Sequence, residues 1–351
     1  MRLSPTIFIV PTGISCEIGG FAGDALPAAK LLGAASGCLI THPNVMNAGS
    51  LSEIDENINY VEGYSLDRFA KCEICLRKVS QQKIGIIFDA GIEHDILVRH
   101  LQVADACKAS LGINVDSYVI TDSPIGVQCN YEGQKMSSGI IQNPKTLIEA
   151  GKKLINGGST AIAIVADFSN QESNHYVDLY RRGKGVDLIS GGEAVISHLI
   201  SKYLQVPCAH SPALKPIDIE YAIDPRAAAE EIGHTFLPSV LIGLSKAPDL
   251  VDIKDYPLLG DINPYQVESI IVPSGALGGE TVLAGMERGL NILAVKNIST
   301  INVNNRFFNY ERLIEVENYL EAAGIILALR RGIDIKSIKR PFETIRNSRI
   351  Q

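Results

Sequence analysis

Four short runs of this 351-residue chain are apolar at nearly every position: Ile84–Phe88, Ala161–Ala166, Ser269–Val272 and Ile292–Val295. A strand with one wet face alternates polar and apolar residues. A continuous apolar run reads instead as a strand covered on both faces, as in a parallel sheet between helical layers. Further strand-like runs are Thr6–Val10, Cys38–Thr41, Ile58–Val61, Tyr118–Thr121 and Val240–Leu244. Helical patterns separate them: Asp24–Ala35, His94–Ser110, Pro144–Asn156, Gly192–Tyr203, Pro225–Ile232, Glu280–Arg288 and Val316–Arg331. Asp224-Pro225 is an N-cap followed by proline at the first helical position, and Gly112, Gly157, Gly289 and Gly332 stand where C-terminal caps stand. Alternation of the two patterns predicts an α/β fold, with largely parallel sheets flanked by helices, arranged as two Rossmann-like lobes with a cleft.

The expected division is an N-terminal α/β lobe over 1–140, a C-terminal α/β lobe over 141–335 and a basic tail over 336–351. The polar, glycine-containing stretch Cys129–Gln142 reads as a boundary or mobile loop, and Ser169–Ser190 as a solvated loop or a lid.

Net charge is −7, with both signs mixed along the chain, which argues against nucleic-acid and anionic-membrane partners. Seven cysteines without a pairing framework point to a reducing compartment, hence a cytoplasmic chain. Cys72-Glu-Ile-Cys75 is a lone CxxC with no second ligand pair nearby, so its thiols read as structural. The run Ile7–Val10 is too short for a signal-peptide core, and no segment reaches the ~18 apolar residues of a membrane span. A small-molecule ligand is the expected partner, and a homo-oligomer stays open.

In open parallel sheets ligands bind beyond the carboxyl ends of the strands. Three runs here end on aspartate: "KIGIIFD" on Asp89, "DSYVITD" on Asp122 and "AIAIVAD" on Asp167. Strands lie ~4.8 Å apart, so neighbouring carboxylates can share a cation such as Mg2+ or perturb each other's ionisation. The plainer reading makes each aspartate a turn former or helix cap. "CLITHP" ends in Thr41-His42 and "NYVEG" in Glu62. His42, with Asn44 close by, is the candidate general acid/base, against the alternative of a loop-capping histidine. His198, His210 and His234 match no zinc spacing, and nothing local activates the Cys208 thiol.

One corner occurs twice. "IFIVPTGISCEIGGFAGDALPAAKLL" and "IIVPSGALGGETVLAGMERG" each run strand, Val-Pro-Thr/Ser-Gly, glycine pair, helix. Thr12, Gly13, Gly19 and Gly20 in the first copy, and Ser274, Gly275, Gly278, Gly279 and Glu280 in the second, are the candidate ligand-binding residues. Glu280 in the first helical turn repels phosphate and suits a hydroxylated or amino ligand. Neither copy has the spacing of a dinucleotide or Walker A loop. Ser190-Gly191-Gly192-Glu193 is a third such corner, and plain structural turns are the alternative for all of them.

The stretches "GGFAGDALPAAKLL", "CLITHPNVMN", "YVEGYSLDRFA", "VITDSPIGV", "VPCAHSPAL" and "AAEEIGHTFLPSVLIGLS" resemble domain-of-unknown-function family 3326, frequent in cyanobacteria. The resemblance covers roughly Ile7 to Gly332. It implies a cytoplasmic, cyanobacterial protein and carries no established activity. A looser likeness joins "PSGALGGETVLAGMERGLNILAVKNIST" to the nucleotide-sugar corner of UDP-N-acetylglucosamine epimerases, with different glycine spacing. It implies phosphate contacts at Ser274 and Gly279 and a ribose contact at Glu280, with Asn297 opening the Asn-x-Ser-Thr element beside them.

The resulting expectation is an enzyme acting on a small polar metabolite, sugar- or nucleotide-like, bound between the two glycine corners. His42, Asp89, Asp122 and Asp167 supply acid/base or Mg2+ chemistry. A non-catalytic metabolite-binding or sensor protein, or a structural protein, are the alternatives.

Overall fold

The structure, a computed structural model, describes residues 4–341 and 344, except 22, 47, 134, 169–173, 215–218, 232–235 and 256. His234 and most of the expected tail 336–351 lie outside the described residues. In chain order the first elements are β1 (Thr6–Phe8), α1 (Leu26–Ser36), β2 (Leu39–Thr41), β3 (Ile58–Tyr60), α2 (Gly63–Ala70), β4 (Ile74–Arg77) and β5 (Ile84–Phe88). Next come α3 (His94–Leu111), β6 (Val115–Ile120), β7 (Val127–Glu132), β8 (Met136–Ile141), α4 (Pro144–Asn156), β9 (Ala161–Asp167), α5 (Asn174–Arg181), α6 (Ser190–Leu204) and β10 (Cys208–Ala213). The last are α7 (Pro225–Glu231), α8 (Phe236–Ser245), β11 (Asp249–Asp252), β12 (Ser269–Pro273), α9 (Glu280–Glu287), β13 (Asn291–Val295), β14 (Leu313–Val316), α10 (Tyr319–Arg330) and α11 (Ile335–Ile338).

The α/β expectation is met by two parallel sheets flanked by helices. One has six strands, in the order β14-β13-β12-β1-β2-β3, and the other four, β10-β9-β5-β6. The first sheet draws strands from both ends of the chain and so from both sides of residue 140; the second is made from the middle. In the six-stranded sheet successive connections run outward in opposite directions from the β1–β12 pair. Their carboxyl ends therefore diverge and leave a crevice, the place where open α/β sheets bind ligands.

Continuous apolar strands work because both faces are covered. Ile7, Ile40, Ile270 and Ile292 pack under α2 and α9, through Leu66, Phe69 and Val282. The alternate residues Phe8, Leu39, Ile271 and Leu293 pack under α1 and α10, through Leu32, Ala322 and Ile326. That second core continues into Ile86, Phe88, Ala163 and Val165 of the four-stranded sheet and into α8, so the two sheets share apolar interior. Each fully buried large side chain contributes roughly 1.5–3 kcal/mol.

Two expectations change. Val240–Leu244 is part of helix α8, not a strand: α8 is apolar on every side, so it has no 3.6-residue stripe to announce it. Cys129–Gln142 is the β7–β8 hairpin, paired Val127↔Ile141 through Glu132↔Met136. Its polar residues hid the alternation of a half-wet ladder. Cys75 lies in β4, and Cys72 just before it has φ 62°.

Candidate functional site

A cavity of about 550 Å3 opens at the crevice between β1 and β12. Its floor is the carboxyl ends of the six-stranded sheet: Val10 and Thr12 after β1, His42 after β2, Glu62 after β3, and Ala276 with Gly278 to Thr281 after β12. Its opposite wall is Ser190, Glu193 and His198 of α6, with His210 of β10. The volume is that of a pocket for a small organic ligand.

His42 is only 6% exposed. Its Nε2 accepts the Val10 backbone N–H at 3.1 Å. A backbone N–H can only donate, so that nitrogen carries the lone pair and the imidazole proton sits on Nδ1. Burial pulls the His42 pKa down to about 4, so the ring is neutral near pH 7. No acceptor for Nδ1–H occurs among the described residues. His42 therefore corrects its expected role: it is a tautomer-locked hydrogen-bond donor, with its basic nitrogen already engaged.

Glu62 stands at the adjacent strand end, since Thr41 is in register with Tyr60. It caps α2, with Oε2 accepting Tyr64 N–H at 2.8 Å, and also bonds Ser201. Burial raises its pKa to about 7, partly offset by these bonds and by His210. Across the cavity, Glu193 Oε2 lies 3.5 Å from His210 Nε2, and Ser197 Oγ lies 2.5 Å from His210 Nδ1. Burial alone would lower the His210 pKa, but Glu193, Glu62 and Asp187 outweigh it and the pKa stands raised. Asp187, buried behind, is raised by desolvation and by Glu193. Nearer the mouth, burial raises Asp67, which accepts the Thr281 hydroxyl at 2.6 Å. Glu280 at the rim is ion-paired with Lys71, which lowers its pKa. Among the described residues no lysine or arginine lines the cavity.

The glycine corners divide. In the first, only Thr12 reaches the cavity. Gly13, at φ 68°, presses on the backbone of β8, where a Cβ would sit 2.3 Å from Ser137 O. Gly19 packs on Val10 and donates its N–H to Asp24, while Gly20 packs on Cys16. In the second, Gly278, Gly279 and Glu280 line the cavity, whereas Ser274 donates its N–H to Val295 O at 2.7 Å and Gly275 sits against Ile301 O. Asn297 is a strut: Oδ1 accepts Ile18 N–H, and Nδ2 donates to Ile18 O and to the Tyr319 hydroxyl. Gly191 and Gly192 of the third corner let the β7–β8 hairpin approach α6, since a Cβ on Gly191 would meet Ser138 of β8 and one on Gly192 would meet Cys129 of β7.

The three aspartates do share an edge, but it is the edge of the four-stranded sheet and not of the crevice. Asp89 is buried and accepts three backbone N–H groups: Gly91 and Ile125 at 2.9 Å, and Asp167 at 3.2 Å. Asp122 has a side chain 73% exposed and faces Lys153. None of the three lines the cavity. Among the described residues no group of three or more His, Cys, Asp or Glu side chains is arranged to hold a metal ion, which leaves the Mg2+ expectation without a ligand set. Sequence reasoning passed over Glu62, Glu193 and His210. Glu62 was visible as a strand end and Glu193 as the residue after a glycine pair, but only folding α6 across the sheet brings them together.

Fold and site together define an α/β protein with an acid-lined, buried-histidine cavity at a sheet crevice. The chain belongs to the family described as Protein of unknown function (DUF3326), matched over residues 5–339. It is 44% identical over 334 residues to an uncharacterized lipoprotein of Synechococcus sp., covering 95% of this chain and 92% of that relative. The relative's name corrects the expectation of a cytoplasmic chain, which rested on cysteine usage. All seven cysteines are free, but free buried thiols carry no address.

Proposed function

We propose that the chain is an enzyme that uses general acid–base chemistry on a small, uncharged polar metabolite held in the β1–β12 cavity. One observation carries the reading: Glu62, buried at a strand end with a pKa of about 7, lines the same cavity as His42 and the Glu193–His210 pair. A carboxyl poised near neutrality both takes and returns a proton at working pH. The lining contains Glu62, Asp67, Glu193 and Glu280 and, among the described residues, no lysine or arginine, and His210 is already met by Glu193, so a phosphate or carboxylate ligand is disfavoured. This moves the reading away from nucleotide-like ligands and toward sugars and polyols.

The test is a thermal-shift panel of neutral sugars and polyols, sugar phosphates and nucleotides, followed by NMR time courses on each stabilising compound. A ligand at a hundred times its Kd stabilises by about 2.7 kcal/mol. Neutral compounds should stabilise and be turned over, with turnover lost in Glu62→Gln. Stabilisation confined to phosphorylated compounds, or turnover untouched in Glu62→Gln, would sink the reading. Binding without turnover would make the chain a metabolite-binding protein.

Location follows the relative's name: a body tethered by lipid at a membrane surface. No helix of the described residues is long and apolar enough to cross a membrane. Recovery of the native protein in the aqueous phase of a detergent partition would refute the tether.

A further inference from the structure

Within that cavity, the arrangement of His42 and Glu62 specifies a reaction class, an inference that rests on the acid–base reading above. Nδ1–H of His42 is a fixed donor: the ring is buried, its tautomer is set by Val10 N–H, and no described residue accepts the proton. His42 Nδ1 is not among the described side-chain atoms sealed away without a partner, so it keeps access to the cavity, where a ligand that brings an acceptor oxygen can take its proton. The neighbouring strand end places a buried carboxylate, Glu62, on the same floor. A neutral donor beside a carboxylate base, in a cavity that no described lysine or arginine lines, is the equipment for moving a proton on carbon next to a carbonyl.

We propose that the cavity binds an uncharged hydroxy-ketone or hydroxy-aldehyde, with His42 Nδ1–H on the carbonyl oxygen and Glu62 as the base that removes a proton from the adjacent carbon. The carbon–hydrogen bond breaks and its electron pair forms the carbon–carbon double bond. The carbonyl pair moves onto oxygen, where the His42 N–H holds it as an enolate. Glu62 keeps the proton and returns it to the same carbon, or to the former carbonyl carbon once the neighbouring hydroxyl has passed its own proton to the enolate oxygen, so the step needs no oxidant, reductant or second substrate. His42 serves because it stays neutral: an imidazolium would compete for the Glu62 carboxylate, whereas the neutral ring spends its single N–H on the ligand. The carboxyl-rich lining disfavours phosphorylated versions of the same carbonyl compounds.

The test uses the intact chain and three neutral ketoses, dihydroxyacetone, erythrulose and fructose, in deuterium oxide, with proton NMR following loss of the signal from the carbon next to the carbonyl. Glycerol is the skeleton without a carbonyl, and dihydroxyacetone phosphate is the anionic control. The expected result is exchange above the protein-free rate for at least one ketose and not for the phosphate. That rate should fall on the order of a hundredfold or more in Glu62→Gln and in His42→Ala, the latter removing the imidazole donor. Asp122→Asn, far from the cavity, should exchange like the parent. Nitrogen NMR of histidine-labelled protein supplies a readout independent of exchange: the His42 Nδ1 signal should move with the ketose and not with glycerol.

No exchange with any of the three ketoses overturns the proposal, as does exchange that survives both substitutions in folded variants. If glycerol stabilises the chain and moves His42 as strongly as the ketoses do, the carbonyl assignment falls while the metabolite cavity stands. If other neutral compounds are turned over through Glu62 without ketose exchange, the enolisation step fails and the acid–base reading survives.

Discussion

Glu193 Oε2 lies 3.5 Å from His210 Nε2 in the cavity wall, with both side chains buried. Ser197 follows Glu193 by four positions on α6, so one helical face presents the carboxylate and the hydroxyl that flank the ring. Glu193, with Glu62 and Asp187 behind it, raises the His210 pKa against the pull of desolvation. Glu193→Gln should therefore lower the His210 pKa, read from its ring signals in an NMR titration. Losing one partner of a buried pair costs about 3–5 kcal/mol while the other stays charged. The loss should thus be larger at pH 5 than at pH 8. An unchanged His210 titration would mean that Glu193 is not its counter-ion.

The cavity acids also set the pH dependence of stability. Glu62 has an ordinary pKa of 4.5 and a folded value of about 7. Between those values the folded chain holds a proton that the unfolded chain has released, so stability falls as pH rises through that window. Asp187 and His210, both raised, act in the same direction, and so does Asp24, raised to about 6 mainly by burial. His42 opposes them: its pKa falls from 6.5 to about 4, so it adds stability as pH rises across that interval. The opposition ends by about 6.5, and only the decline continues toward 7. Denaturant midpoints should drop between pH 6.5 and 7.5. Glu62→Gln should flatten that limb by about 1 kcal/mol or less. A limb just as steep in the variant would place the linked protons elsewhere.

Strand-end chemistry was legible in the sequence, but its assignment to a sheet was not. "KIGIIFD" and "NYVEG" look alike as strand followed by acid, yet Asp89 ends a strand of one sheet and Glu62 one of the other. Nothing local separates a carboxylate that ties down its own loop from one that faces a cavity. Long-range pairing decides it, through Thr6↔Ser269 between β1 and β12, 263 positions apart. The helix Pro144–Asn156 was read to its observed ends because proline starts it and glycine ends it. Helix α2 shows in the sequence only as a short helical run before Cys72, because Leu66, Phe69 and Ala70 alone mark its apolar face within eight residues. His42 was readable as a functional candidate, but its tautomer depends on Val10, 32 residues away.

Asp89 and Asp122 should behave oppositely when neutralised. Asp89 satisfies three buried N–H groups, so Asp89→Ala leaves all three without an acceptor, at about 1–3 kcal/mol each. A chain that folds at all should melt far lower, while Asp89→Asn, which keeps one acceptor oxygen, should lose less. Asp122 is solvated and meets Lys153 only at the surface. Asp122→Asn should shift melting by no more than about 2 °C. Calorimetry of the three variants checks both halves, and an Asp89→Ala melt as high as that of Asp122→Asn would contradict the structural role.

The two glycine corners give the last contrast, between a glycine the fold needs and one the cavity needs. Gly13 has φ 68° and no room, because a Cβ would lie 2.3 Å from the Ser137 carbonyl oxygen on β8. Gly13→Ala must move the hairpin or break the Ser137 N–H to Gly13 O bond of 2.8 Å, in addition to the 1–2 kcal/mol (roughly) of a left-handed conformation. It should therefore destabilise the chain by more than about 2 kcal/mol. Gly279 has φ −71°, a Cβ there would meet nothing within 4 Å, and the residue lines the cavity at the start of α9. Gly279→Ala should leave the denaturant midpoint close to that of the parent, because its backbone is one that any residue adopts. The added methyl group takes up space at the cavity edge, so the same variant should weaken whatever neutral compound the thermal-shift panel selects. Equal destabilisation by both substitutions would mean that the second corner, like the first, is a structural turn with no part in ligand binding.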